Sequence, residues 1–349
     1  MKILVTGGAG YIGSHMVRML LEQGVDVVVI DNFSTGNWNE EGRFIEGNFG
    51  DMELLEKIFS TEKFDGVIHL AASSSVEESV LHPVEYYKNN VLNTLNLLDV
   101  MIKYGVSKFI FSSTAAVYGE PDYFPIDEKH KVHPVNPYGQ TKLFIEETLK
   151  FYEEAYGLSS VSLRFFNAAG ASPCGSIGEN RAVETHLIPI ILKVAKGIRK
   201  NLSIFGTNYN TKDGTCKRDY VHVSDLCNAH TLALKYIDEK PGSHIFNLGT
   251  GSGYSVKEVI DTVEKVTGKE ITVESKTRRA GDPEKLVANY EKAFKHLGWK
   301  PLFGLKEIIQ HSWNWEQNLQ AQKQRMKMKK NAPARSQTFD KQALTFSAI

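Results

Sequence analysis

Short unbroken apolar runs alternate along this chain with longer stretches in which apolar residues recur at helical spacing. Ile3, Leu4 and Val5 read as a strand buried on both faces, and glycines end it. Met16, Val17, Met19, Leu20 and Leu21 then mark the buried face of a helix. Further stretches rich in apolar residues over 25–30, 44–45, 67–70 and 109–111, and the alternating stretch over 161–165, read as strands. Helical stretches over 52–59, 84–104 and 138–156 lie among them, with Pro83 near the start of the second. This alternation predicts an α/β fold on a doubly wound parallel (Rossmann) sheet. Ligands of such sheets lie beyond the carboxyl ends of the strands, where Asp31, Ala71, Thr114 and Phe166 fall.

After Asn167 the pattern loosens into a loop over 168–180, a helix over 186–200, a short strand over 202–205 and a polar loop over 207–217. Residues 244–248 read as a return to the main sheet, and 255–266 and 303–315 as the last helices. The chain thus divides into a Rossmann domain over 1–166 with return segments near 221–248, a smaller mixed α/β substrate lobe over 167–318, and a tail over 319–349. In the tail Lys323, Arg325, Lys327, Lys329, Lys330, Arg335 and Lys341 face one acid, Asp340, which predicts a basic segment that is disordered or frayed helix.

Composition narrows the partners. Lys+Arg and Asp+Glu both number 41, so no bulk attraction to nucleic acid or a membrane is expected. Cys174, Cys216 and Cys227 are few and widely spaced, which argues against a disulfide framework or a metal site and for a cytoplasmic protein. No signal peptide is expected, because only three apolar residues follow Lys2 before the glycines. No apolar run approaches the ~20 residues that span a bilayer.

Gly7, Gly10 and Gly13 fit G-x-x-G-x-x-G, and Gly8, Gly10 and Gly13 fit G-x-G-x-x-G. Between a strand and a helix, such glycines let the backbone approach a pyrophosphate, and the free N–H groups at the helix start face its charge. A ligand-free strand–helix turn has the same pattern. Asp31, ending the second strand, is placed as the acid that binds an adenosine ribose. No Arg or Lys occurs in residues 32–37, so NAD is favoured over NADP.

Tyr138 and Lys142 stand at i and i+4, on one face of a helix. A tyrosine acting as a base at neutral pH needs its pKa near 10 lowered by roughly 3 units, about 4 kcal/mol. A nearby ammonium and a cationic nicotinamide both favour the phenolate. By itself the pair is a common feature of helices. It follows a strand ending in the hydroxyls of Ser112, Ser113 and Thr114, and Thr114 can relay a substrate proton or cap a turn.

Specific motifs carry a resemblance. They are Thr6-Gly7-Gly8-Ala9-Gly10-Tyr11-Ile12-Gly13-Ser14-His15, Asp31-Asn32, Asn89-Asn90-Val91 and Ser112-Ser113-Thr114-Ala115-Ala116-Val117-Tyr118-Gly119. Asn136-Pro137-Tyr138-Gly139-Gln140-Thr141-Lys142, Arg164-Phe165-Phe166-Asn167-Ala168-Ala169-Gly170 and the stretch over 213–223 complete the set. From Lys2 to about Trp315 the chain resembles the extended short-chain dehydrogenases/reductases, and within them the UDP-glucose 4-epimerases; the 213–223 stretch is the most specific part.

The resemblance implies a retained NAD, a UDP-sugar substrate and a homodimer paired through helices 84–104 and 138–156. Tyr138, Lys142 and Thr114 would be catalytic. Cofactor contacts would come from Gly7, Gly10, Tyr11, Ile12, Gly13, Asp31, Asn32, Ser34, Thr35, Gly36, Asn48, Phe49, Leu70, Ala71, Ala72, Asn89, Asn90, Ser112 and Phe166, with Tyr138 and Lys142. Substrate contacts would come from Asn167, His186, Leu187, Ser203, Phe205, Arg218, Tyr220, Arg279, Asp282 and Leu286, with Thr114 and Tyr138.

Arg218 and Arg279 suit a diphosphate through paired donors, while Asn167 suits a phosphate oxygen or a turn cap. Ala115 and Ala116 stand where related dehydratases carry acids, and cannot supply a proton. The chain departs from the family pattern at four sites: Asn48 replaces an Asp, Ser73-Ser74 a Leu-Lys pair with its diphosphate contact, and His186 an Asn. The fourth, Leu286, leaves acceptance of N-acetyl UDP-sugars open, and an N-acetylhexosamine or pentose 4-epimerase is the alternative reading.

Overall fold

The computed structural model describes residues 1–36, 42–181, 183–279 and 283–331. The first half runs β1 (Lys2–Thr6), α1 (Tyr11–Glu22), β2 (Asp26–Asp31), β3 (Arg43–Glu46), α2 (Met52–Thr61) and β4 (Gly66–His69). It continues through α3 (Val76–Leu81), α4 (Pro83–Tyr86), α5 (Asn93–Lys103), β5 (Lys108–Thr114), α6 (Pro137–Tyr156) and β6 (Ser159–Phe165). Then follow β7 (Asn167–Ala169), α7 (Leu187–Ala195), β8 (Leu202–Phe205), β9 (Lys217–Arg218), β10 (Tyr220–His222), α8 (Val223–Glu239) and β11 (Ser243–Leu248). The described residues end with β12 (Tyr254–Ser255), α9 (Val256–Thr267), β13 (Val273–Lys276), β14 (Lys285–Leu286), α10 (Glu291–Leu297) and α11 (Leu305–Asn331).

Seven strands form one parallel sheet in the order β11-β6-β5-β4-β1-β2-β3, as the alternating pattern predicts. Alternate residues of β1 serve its two faces. Ile3 and Val5 pack with Met16, Val17 and Leu20 of α1, while Leu4 packs with Leu55 and Ile58 of α2 and Leu97 and Met101 of α5. Each such side chain contributes roughly 1.5–3 kcal/mol through burial. Strand order reverses between β1 and β4, and there a crevice opens at the carboxyl ends.

Past β6 the elements shorten into a two-stranded pair (β10-β7), a three-stranded sheet (β12-β9-β14) and a second pair (β13-β8). A separate core of Ile188, Ile191, Leu192, Leu202, Val259, Val263, Ile308 and Ile309 holds α7, β8, α9 and α11 together. Among the described residues no helix is long and apolar enough to cross a membrane.

The structure departs from the sequence pattern in several places. The stretch over 84–104 is broken by a π-helical turn, Tyr87–Leu92. That turn lets Asn90 face inward, where Ser73 N donates to its Oδ1 at 2.8 Å and its Nδ2 donates to Ser73 O at 2.9 Å. The pattern marks no helix over 223–239, yet α8 packs there against α1, because Asp225, His230 and Thr231 on its buried face interrupt the apolar period. Helix α7 ends at Ala195, short of the expected 200, and Gly197 follows at φ +69°. Helix α11 runs on to Asn331, past the expected end at 315.

Candidate active site

The glycine loop is shaped by space. Gly7 sits at φ +75°, in the left-handed region, and its N–H donates to Ile30 O at 2.8 Å. A Cβ on Gly13 would lie 2.0 Å from Gly7 O, and one on Gly7 would lie 2.6 Å from Ala71 N. Helix α1 therefore starts tight against the β1 turn, with no side-chain cap on its first amides. Asp31 braces the loop: Ala9 N donates to its Oδ2 at 2.9 Å and Phe33 N to its Oδ1 at 2.8 Å.

Thr114, Tyr138 and Lys142 converge where β5 meets α6. Asn136 caps α6, accepting from Gly139 N at 2.9 Å, and Pro137 occupies the first turn. A Cβ on Gly139 would lie 2.6 Å from Ala116 O, so this glycine lets α6 approach the end of β5. Thr114 Oγ1 accepts from Ala116 N at 3.1 Å, so the cap reading holds, and the same side chain acts to lower the pKa of Tyr138. Burial raises the pKa of Tyr138, while Thr114 and the charge of Arg181 work against that rise. Lys142 Nζ donates to Ser112 O at 2.9 Å and lies 4.7 Å from the Phe111 ring centroid. Burial brings its pKa down to about 7, with Glu146 opposing.

Beneath these residues runs a buried polar network. Glu146 accepts from Ser113 Oγ and, at 2.9 Å, from Arg164 Nε. Arg164 also donates to Tyr118 Oη at 3.0 Å, and Tyr118 donates to Asn247 at 2.7 Å. On the other side, His230 Nδ1 lies 2.8 Å from Leu226 O and its Nε2 lies 3.0 Å from Ser112 Oγ. Burial lowers the pKa of His230 to about 4, so it is neutral; protonated at Nδ1, it accepts from Ser112.

One cavity of about 680 Å³ joins the loop to the smaller lobe. Of the expected cofactor residues, Gly7, Gly10, Tyr11, Ile12, Gly13, Thr35, Leu70, Ala72, Ser112, Tyr138, Lys142 and Phe166 line it. So do Thr114 and the expected substrate residues Asn167, His186, Leu187, Ser203, Phe205, Arg218, Tyr220 and Arg279. The Arg279 guanidinium stacks 3.9 Å from the Phe205 ring centroid, which leaves its planar fork oriented.

Other expected residues stand outside that wall. Gly36 lines a smaller adjoining pocket. Asn32 accepts from Ser34 N at 3.0 Å, and Asn48 accepts from Gly50 N at 2.9 Å. Phe49 packs on His69, and Ala71 backs Gly7. Asn89 donates to Ser73 Oγ at 3.1 Å and Asn90 holds the Ser73 backbone, so Ser73 serves to fix the π-turn. Leu286 pairs with Arg218 across β14 and β9. Asp282 lies outside the described residues.

Glu179, Arg181 and Glu184 also line the cavity, and no motif marks them within their irregular segment. Glu179 Oε1 lies 2.8 Å from Arg181 Nε and 2.8 Å from His186 Nδ1. Ligand atoms of Glu179, Glu184 and His186 fall within 4.8 Å of one another, with Arg181 already supplying positive charge there. Tyr11 Oη donates to Gly170 O at 2.7 Å, which closes the loop against the second lobe.

Residues 3–249 match the NAD dependent epimerase/dehydratase family. The chain is 52% identical over 318 residues to the UDP-glucose 4-epimerase of Halalkalibacterium halodurans, covering 90% of this chain and 95% of that protein. A crystal structure of a UDP-glucose 4-epimerase superposes with a TM-score of 0.89 at 49% identity, over 91% of this chain and 98% of the other. The Bifidobacterium longum UDP-glucose 4-epimerase, solved in complex with NAD⁺ and UDP, gives 0.87 at 40% identity over 91% and 98%.

Proposed function

The chain belongs to the NAD dependent epimerase/dehydratase family, and we propose that it interconverts UDP-glucose and UDP-galactose at C4 with an NAD that stays bound. One observation carries this reading: Thr114, Tyr138 and Lys142 stand on the wall of a single cavity that joins the glycine loop to Arg218 and Arg279. The glycine loop fits a dinucleotide, because its first helical amides are uncapped and side chains at Gly7 and Gly13 would fill the turn. Bound NAD supplies a hydride acceptor that gives the same hydride back, so the cycle is redox-neutral.

The chain's own residues move the proton and hold the sugar. Tyr138 takes the proton of the sugar 4-hydroxyl, with the Thr114 hydroxyl placed to relay it. Burial makes the phenolate costly, so the Lys142 ammonium is needed to favour it. The 4-keto sugar would then present its other face, and Tyr138 would return the proton to the oxygen at C4. Arg218 and Arg279 anchor the diphosphate while the sugar turns. Ala115 is buried next to Thr114 and Ala116 follows it, so no acid there can expel a hydroxyl as a dehydratase requires.

Purified protein is expected to interconvert the two UDP-sugars with no NAD added or consumed, and Tyr138→Phe to lower kcat by about 10²–10⁴-fold. Stoichiometric NADH would contradict the reading. The dimer we propose pairs helices 84–104 and 138–156 about a two-fold axis. Its support is the exposed apolar side chains Val84, Tyr87 and Leu92 on one and Phe144 and Phe151 on the other. Light scattering that gives a monomer at micromolar concentration would rule it out. We place the protein in the cytoplasm, which suits the buried thiol of Cys227; cell fractionation tests this.

A further inference from the structure

Two cavities meet over the glycine loop. The large one shares Gly10, Tyr11 and Thr35 with a smaller pocket of about 70 Å³ whose walls also include Ser14 and Gly36. Arg181 lines both, and among the described residues lining the smaller pocket it carries the only positive charge. On the far side of the loop, Leu70, Ala72, Ser74 and Glu77 bring no cation to the large cavity.

Arg181 is held in place. Its Nε lies 2.8 Å from the buried carboxylate of Glu179, and Trp315 Nε1 donates to Glu179 O at 2.9 Å. With Nε directed to Glu179, the terminal amino groups of the planar fork remain to grip an anion through paired donors. The charge is felt along the loop and at the reaction end. Burial raises the pKa of both the Tyr11 and Tyr138 hydroxyls, and Arg181 works against the rise at each. Amides at a helix start offer only about half a positive charge, less than a dinucleotide pyrophosphate carries in negative charge.

We propose that Arg181 is a cofactor-binding residue whose guanidinium holds the pyrophosphate of the dinucleotide seated on the glycine loop, and that this contact slows its release. The inference rests on the epimerase reading above, in which NAD stays bound through each turnover. Arg181→Gln keeps polar length without charge, and Arg181→Lys keeps charge without the fork. The measurement is the rate at which NAD leaves the purified holoenzyme, followed by exchange with excess labelled NAD, beside the KM for UDP-galactose at saturating NAD.

Arg181→Gln is expected to release NAD about 10–100-fold faster, the loss expected for a charge-assisted hydrogen bond, with KM near that of the parent. Arg181→Lys is expected to fall between the two. Unchanged release in Arg181→Gln overturns the proposal, and unchanged release with a raised KM assigns the arginine to the sugar nucleotide instead. If Arg181→Gln does not fold, Arg181→Lys decides: faster release supports the paired contact and parental release overturns it. Unsubstituted protein that holds no NAD would contradict the epimerase reading itself, before any variant is compared.

Discussion

Replacing Glu146 by Gln removes one charge from the buried network under the reaction site while keeping its shape. Glu146 and Arg164 are 1% and 4% exposed at their side chains, so neither charge has water to fall back on. Arg164 donates through Nε to both carboxylate oxygens, at 2.9 and 3.1 Å. Breaking such a pair from one side leaves an uncompensated buried charge and costs about 3–5 kcal/mol. That is a large part of the ~5–15 kcal/mol that typically holds a domain folded. Urea unfolding of the NAD-bound protein measures it. The double variant Glu146→Leu with Arg164→Met removes both charges and is expected to be more stable than either single variant, since apolar replacements avoid the desolvation cost. A double variant whose loss equals the sum of the two single losses would refute the reasoning. Activity carries a second signature. Glu146 is the charge that opposes the fall in the Lys142 pKa, so its loss lets Lys142 deprotonate at lower pH. The alkaline limb of kcat for Glu146→Gln therefore moves to lower pH, and a limb that stays or moves up contradicts the link.

Lys142→Met exchanges function for stability. The Lys142 pKa falls from 10.5 to about 7 on folding, so the folded state binds fewer protons between those values and stability rises with pH across that window. The variant lacks this dependence. Its stability advantage is expected to be largest at pH 7 and below, up to about 4–5 kcal/mol before the lost hydrogen bond is counted, and to vanish above pH 10.5. Denaturation at pH 7, 8.5 and 10 checks the trend, and a gap that is constant with pH would refute it. Gly13→Ala forces a methyl to within 2.0 Å of Gly7 O, so the purified variant is expected to carry little NAD, read from the nucleotide released by acid. Normal NAD content would show that the turn can open without loss of binding.

How much of this site is legible in a sequence depends on how local its causes are. The glycine loop, the end of β2 at Asp31, and Tyr138 with Lys142 on one face of α6 follow from spacings within a few residues. The sheet follows from apolar runs that mark its strands one by one. The network below the site has no local signature: Arg164 finds Glu146 on another element, and Asn247 meets Tyr118 across 129 positions. Asp219 makes the same point inside a motif. The 213–223 stretch marks the resemblance without saying why an acid belongs there. In the fold Asp219 is buried, and accepts from Thr250 N at 2.8 Å, Gly251 N at 3.0 Å and Ala288 N at 3.1 Å. Burial raises its pKa, and the Thr250 hydroxyl and those amides oppose the rise, which suits a carboxylate used as a three-way backbone clamp. It ties the turn between β9 and β10, which presents Arg218 and Tyr220 to the cavity, to the ends of β11 and β14. Arg181 follows the same logic in an irregular segment: its value lies in which pocket the fold turns it toward, and only the assembled lobes determine that.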